Sequence, residues 1–431
     1  MKKFQKLLSE FVSIPSVSTD ISFKKGIDRA ANWLVAYAKQ SDMQVKKVVG
    51  FGNPIIIAST KKDQNLKTIL VYGHYDVQPA NKKDGWKTNP FSLTLNKGRL
   101  YGRGSADNKG QILTHLYSVA KLIKEKRLIF NVIFLIEGNE ETGSPNFRKG
   151  LEKNLNNLRC DCVVISDGGL GTGDSPALEA SFRGSMNMEV SLTTAKDDLH
   201  SGLFGGIVPN AAEELSLLIS KLHDKNKRVL VPGFYDDIKK QKVLAGGNEI
   251  NLRKLTGTKK VFARNESEYE IKTGLEPAIE VTGISSGYTD VGFRNSVPAK
   301  SIAKINVRFA PEQKPKRLIK LLQKFIKENV PDYTSVTITL TDTAPGANLD
   351  MKNEFAKRAT SLLRTVYKTN PTTKNVGGTL PIVNDLKQIL KVPQVMIPLA
   401  NEDCGMHSAS ENIKVNCVKK GLAFSSMFFG K

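Results

Sequence analysis

Four apolar runs constrain the fold of this 431-residue chain most: "PIIIAST" near residue 54, "KTILVYG" near 67, "LIFNVIFLIE" near 128 and "CDCVVIS" near 160. Each is short enough for a strand and too uniformly apolar to keep one face in water. The sheet they make therefore has to be covered on both sides. Its covers lie before and between them. In "GIDRAANWLVAYAKQ" the residues Ile27, Ala30, Leu34, Val35 and Ala38 recur at steps of three and four, and "KGQILTHLYSVAKLIKEK" from Lys109 does the same. Buried strands alternating with amphipathic helices predict an α/β domain with a mixed, largely parallel sheet flanked by helices.

From about residue 183 the period changes. "SMNMEVSLTT" alternates like a half-exposed strand and "NAAEELSLLISKLHD" reads as a helix; "KSIAKINVRFAP", "KPKRLIKLLQKFIKENV" and "TSVTITLTD" follow as strand, helix and strand. That order predicts a small α+β domain with helices on one face of its sheet. After "APGA" the α/β pattern returns, with a helix from about 353 and strands near 375 and 393. The second domain, 184–344, is thus expected as an insertion into a first domain made of 1–183 and 345–431.

The N-terminal "MKKFQKLLSEFVSIPSV" begins like a signal peptide, but Gln5, Lys6, Ser9 and Glu10 interrupt the apolar stretch such a signal needs. Phe4, Leu7, Leu8 and Phe11 share a helical face instead. No run approaches the roughly 18 apolar residues of a membrane span, so a soluble, cytoplasmic chain with no membrane partner is expected. Cys160, Cys162, Cys404 and Cys417 form neither a CxxC motif nor a disulfide framework, which fits a reducing compartment. A formal charge of +22 marks some nucleic-acid binders. Here the lysines are scattered, with no long basic tract and no interleaved aromatics. A solvated lysine-rich surface is expected, with no nucleic-acid partner, and its field can steer small anions.

The ends of the α/β strands carry the chemistry. "ILVYG" runs into His74 and Asp76, "NVIFLIEGNEETGS" into Glu140 and Glu141, and "CVVISDGG" into Asp167. In open α/β sheets ligands bind outside the carboxyl ends of the strands. "GRLYGRGSADNKGQ" adds Asp107 after a glycine-rich turn, and "NEDCGMHSASEN" adds His407 in a polar loop. Taken singly, Asp107 can be the N-cap of the next helix, a strand-end Asp can be a turn former, and the paired glutamates can be a solvated helix start. Together they form a carboxylate cluster that repels itself without a cation. Two divalent metals resolve this, and an imidazole–carboxylate set without thiolate suits zinc, with manganese or cobalt as alternatives.

"GHYDVQP", "YGRGSADNKGQ", "EGNEETGS", "ISDGG" and "DLHSGLFGG" resemble, in order, the motifs of the M20 family of metallopeptidases, and most of all its carnosinase-like, cytosolic nonspecific dipeptidase branch. The resemblance implies a catalytic domain with an inserted lid and dimerisation domain, and a homodimer joined through the latter. It implies that Asp107 bridges two metals, that His74 and Asp167 complete one ligand set, and that Glu141 and His407 complete the other. Asp76 is then the group behind His74, and Glu140 the general base. From the inserted domain it implies that His200 stabilises the oxyanion across the dimer and that Arg308 grips the substrate carboxylate. Asn295, Gly378 and Thr379 become further substrate contacts. Asn108 stands where the family usually has a second Asp after a cis peptide bond, and Cys404 and Met406 stand where small residues are usual.

The expected activity is hydrolysis of dipeptides or short peptides with a free C-terminal carboxylate. The alternative within the family is an amidase for N-acyl amino acids, such as a deacylase or desuccinylase. The alternative of another class, a non-catalytic basic binding protein, sits badly with a complete ligand set and Glu140.

Overall fold

The computed structural model describes residues 1–239, 253 and 257–431, so residues 240–252 and 254–256 of the expected insertion lie outside the described residues. The chain divides into two units: Met1–Ala180 with Leu349–Lys374 and Ile382–Lys431, and Ser181–Asn348 with Asn375–Pro381. By sequence pattern Asn375–Pro381 belongs to the C-terminal stretch 345–431. It groups with the second unit because Arg183 binds it, donating its main-chain N–H to Val376 and its Nε–H to the Gly377 carbonyl.

In the first unit the strands Asn131–Glu137, Thr68–His74, Cys162–Ile165 and Gln394–Met396 lie side by side in that order and run parallel. Ile55–Ser59 and then Gln44–Val48 extend one side antiparallel, and Ala177–Phe182 meets the other. Every residue of Asn131–Glu137 is buried, as is every residue of Thr68–His74 after Thr68. This is what strands without a wet face require. The helix Lys2–Val12 buries Phe4, Leu8 and Phe11, the stripe legible in the sequence. Because the four central strands are parallel, their carboxyl ends share one rim.

One element of this core is not anticipated. The helix Val415–Phe429 buries Cys417, Val418, Gly421, Phe424, Phe428 and Phe429 against Lys109–Glu125. Lys419, Lys420 and the serine pair interrupt its apolar stripe, so its period is faint. Each buried phenylalanine still contributes on the order of 1.5–3 kcal/mol.

The second unit holds a four-stranded antiparallel sheet in the order Ala278–Ser286, Lys300–Phe309, Gly184–Thr193, Ser335–Ala344. Gly184–Thr193 alternates strictly, with Met186, Met188, Val190 and Leu192 facing the core. The helices Ala211–Ser220 and Pro315–Asn329 supply Leu215, Leu218, Leu318, Leu322 and Ile326 to that core. Among the described residues no helix is long and apolar enough to cross a membrane.

Candidate metal centre

His74 is the last residue of its strand, and its ring is fully buried. Nδ1 lies 3.1 Å from the main-chain oxygen of Asp76 and 3.4 Å from its carboxylate. Nε2 is thereby turned outward, 3.0 Å from Asp107 Oδ1 and 3.5 Å from Asp167 Oδ2, without a hydrogen-bond partner. The second oxygen of Asp107 lies 3.0 Å from His407 Nε2, which is 3.3 Å from Glu141 Oε2. Two sets of potential ligand atoms result, His74–Asp107–Asp167 and Asp107–Glu141–His407, and they share only Asp107. Glu140 belongs to neither; its Oε2 is 3.9 Å from His74 Nε2.

Local structure explains these positions. Glu140–Thr142 is a tight turn just beyond Asn131–Glu137, and Asp76 accepts the main-chain N–H of Glu140 at 3.2 Å and of Glu141 at 3.1 Å. Asp76 therefore does more than sit behind His74: it fixes the backbone from which two adjacent glutamates diverge. The helix Lys109–Glu125 is capped by Asn108 without a side-chain cap bond, which leaves Asp107 free of a capping role. The Asp107–Asn108 peptide bond is cis. A Cβ on Gly110 would lie 1.9 Å from the Ser105 carbonyl oxygen, so only glycine lets the helix start so close to the turn. Gly110→Ala is expected to destabilise the protein by about 2–3 kcal/mol, read as a lower melting temperature, because neither backbone can retreat cheaply.

The electrostatics express a shortage of positive charge. Burial pushes the Glu140, Glu141 and Asp167 carboxyls upward, and the neighbouring carboxylates push the same way. The hydrogen bonds that His407 donates to Asp107 and then to Glu141 raise it to about 10. Burial opposes charging of His74, yet Asp167, Asp107 and Asp76 hold it well above the usual imidazole value. Asp107 is buried too, but the two imidazoles keep it below the usual carboxylate range. Protons thus collect where cations of higher charge would serve better.

Geometry gives the same answer. A tetrahedral ion with bonds of about 2.0–2.1 Å holds its ligand atoms about 3.3–3.4 Å apart. The imidazole-to-carboxylate spacings here are 3.0–3.5 Å, and all ligand atoms of a set lie within 4.8 Å of one another. His74 Nε2 and Glu141 Oε1 are buried and unpartnered. The residues fit a pair of divalent cations.

Residues 70–429 match the model of peptidase family M20/M25/M40. The chain belongs to this family. It is 30% identical to the Cys-Gly metallodipeptidase DUG1 of Candida albicans over 443 residues, covering 96% of this chain and 91% of that one. It is 33% identical to the Beta-Ala-His dipeptidase of Homo sapiens over 396 residues, covering 87% and 77%. Among solved structures, an M20 family metallo-carboxypeptidase from Sulfolobus solfataricus superposes with a TM-score of 0.86 at 30% identity, covering 100% of this chain and 99% of that one.

The second unit of this M20 chain carries the other anticipated residues. His200 is exposed, pairs with Ser296 across a two-residue ladder and accepts the Gly202 N–H at Nδ1. Nε2 is thus the ring's N–H donor. Asn295 is its neighbour, accepting the Ser201 N–H at its carbonyl. Arg308 is half-buried and donates from Nη1 to Thr379 Oγ1 at 2.9 Å. Thr379 donates in turn to the Arg183 carbonyl, and Gly378 is exposed beside it.

Three first-unit residues of the M20 chain touch the cluster without having been assigned a role. Gln78 donates to Glu141 Oε2 at 2.7 Å. Asn108 donates to the Ser166 carbonyl at 2.7 Å and to Asp167 Oδ1 at 3.0 Å, which turns Oδ2 of Asp167 towards His74. An Asp at 108 could donate at most one of those two bonds, and only in its protonated form. Glu411, in "HSASEN", binds the loop before Asp107. Gln78 and Glu411 lie inside the quoted motifs, but nothing in their type or spacing says what they touch. Cys404 and Met406 pack with Ala106 and Ala400 and offer no ligand atom to either set.

Proposed function

We propose that this M20 chain is a dinuclear metal-dependent dipeptidase that cleaves the amide bond of dipeptides or short peptides bearing a free C-terminal carboxylate. The observation that carries the reading is the sharing of Asp107: its two oxygens face two separate ligand sets, each completed by one imidazole and one carboxylate. The names of the DUG1 and Beta-Ala-His dipeptidase relatives supply the substrate class. His74, Asp107 and Asp167 would hold one ion, and Asp107, Glu141 and His407 the other, with zinc the first choice for a thiolate-free set. Bound there, two such ions polarise the scissile carbonyl and acidify the attacking water.

The chain's own groups do the rest. Glu140, outside both ligand sets, takes a proton from the attacking water and returns it to the leaving amine. Asp76 keeps Glu140 and Glu141 in place through their main-chain N–H groups. Arg308, supported by Thr379, has a free guanidinium edge for the substrate carboxylate, with Gly378 beside it. His200 presents Nε2–H as an oxyanion donor. We assign that role across a homodimer built through the second unit, with Asn295 at its side. Four free cysteines fit a cytoplasmic location.

The test is a panel of dipeptides against N-acetyl and N-succinyl amino acids, assayed with added zinc, manganese or cobalt. Release of amino acids from dipeptides alone is expected; turnover confined to N-acyl substrates would favour the amidase reading. Arg308→Ala should lower kcat/KM for a free-acid dipeptide by about 10–100-fold, mostly through KM, since one charged hydrogen-bond pair is lost. The C-terminally amidated analogue should be nearly indifferent to the change.

A further inference from the structure

Glu411 is fully buried, four residues beyond His407, and its carboxylate collects four donors from the loop that leads to Asp107. Oε1 accepts the main-chain N–H of Ala106 at 2.9 Å and of Asp107 at 3.0 Å. Oε2 accepts Gly104 N–H at 2.9 Å and Arg103 Nη1 at 2.8 Å. The main-chain oxygen of Glu411 takes a fifth donor, the Gly102 N–H. Three amides from a four-residue stretch converging on one anion form the kind of concavity that elsewhere holds a phosphate. Here the chain fills it with its own side chain. Gly104 makes the bend possible at φ +89, where a Cβ would press on Val77 at 3.0 Å.

We propose that Glu411 is a positioning residue for the metal centre: it fixes the loop that presents Asp107 and ties that loop to the one that presents His407. The inference rests on the dinuclear reading above. One of the four donors is the N–H of Asp107 itself, so the bridging residue is anchored at its own backbone. At the other end, the His407 loop closes on itself where Asn412 donates its N–H to the Cys404 carbonyl at 2.8 Å, and Arg99 donates to the Asn412 side chain. Moving Glu411 therefore moves both partners of the 3.0 Å contact between Asp107 and His407. Arg103 is held in turn by the Pro79 carbonyl and lies over the Trp86 ring at 5.3 Å, so the carboxylate has a fixed counter-charge.

Glu411→Gln keeps size and shape but replaces one oxygen with an amide donor. Whichever way it turns, one pair of loop donors meets another donor instead of an acceptor. The experiment titrates Co2+ into metal-free protein below its melting temperature and follows visible absorption, with KM and kcat measured in parallel. Wild-type chain taking up two Co2+ establishes the dinuclear reading; if it takes up none, that reading fails, whatever the variant does. With wild type loaded, the inference expects Co2+ affinity about 10–100-fold weaker in Glu411→Gln, an altered absorption band, a lower kcat and an unchanged KM. A folded variant whose affinity falls by less than about tenfold, whatever its melting temperature, would give Glu411 a role in stability alone and overturn the assignment. Should Glu411→Gln not fold, Arg103→Lys, which keeps the charge and loosens the fork, is read by the same criterion.

Discussion

Glu140→Gln should lower kcat for dipeptide hydrolysis by about 10²–10⁴-fold while the protein keeps both metal ions. The expectation comes from the division of labour between two adjacent glutamates. Glu141 Oε2 lies within one ligand set, whereas Glu140 stands outside both, with Oε2 3.9 Å from His74 Nε2. A group that moves protons without holding the cation should be separable from metal content by an isosteric change. Gln keeps the shape of Glu and its N–H bond to Asp76, and it loses only the capacity to take a proton. Metal analysis of the purified variant beside its steady-state kinetics checks both halves. A variant that turns over normally removes Glu140 from the mechanism, and one that loses metal makes it a ligand.

Asp107→Asn should have the larger effect on metal content. Asp107 is the one residue common to both ligand sets, so one neutralised carboxylate weakens two ions at once. Supporting residues around a metal typically cost 10–100-fold in affinity when changed, and a shared ligand should exceed that at both positions. Asp167→Asn is the control, because Asp167 belongs to a single set and its loss should leave the Glu141–His407 ion in place. Calorimetric titration of the metal-free variants distinguishes the two patterns. Equal losses from both variants would mean that Asp107 does not bridge.

How much of this was legible in the sequence depended on which physical constraint each residue obeys. The runs ending at His74, Glu137 and Ile165 were readable because a two-sided buried sheet leaves no alternation to confuse. The residues just beyond them inherit a common rim from strand direction alone. His407 lies in a loop and is legible only by its residue type within a motif. Asn108, Gln78 and Glu411 escaped a role because their partners are far away in sequence: Glu411 reaches back across more than 300 residues to Gly104, Ala106 and Asp107. No periodicity encodes such a contact. The helix Val415–Phe429 was hidden for another reason. Its buried glycine and serine read as breaks in an apolar stripe, and they are places where the helix Lys109–Glu125 comes close. Asp76 is legible as a site residue, but its two bonds to the glutamate backbone follow from the turn after the neighbouring strand, which spacing does not reveal.

The central claim is that one carboxylate joins two ions into a peptide-cleaving centre. Its most direct measurement is dipeptide hydrolysis by metal-free protein titrated with zinc under stoichiometric binding conditions. The account predicts no turnover without metal, and a rise that is complete only when two equivalents per chain are bound. Full activity at one equivalent, or turnover by the metal-free chain, would contradict it.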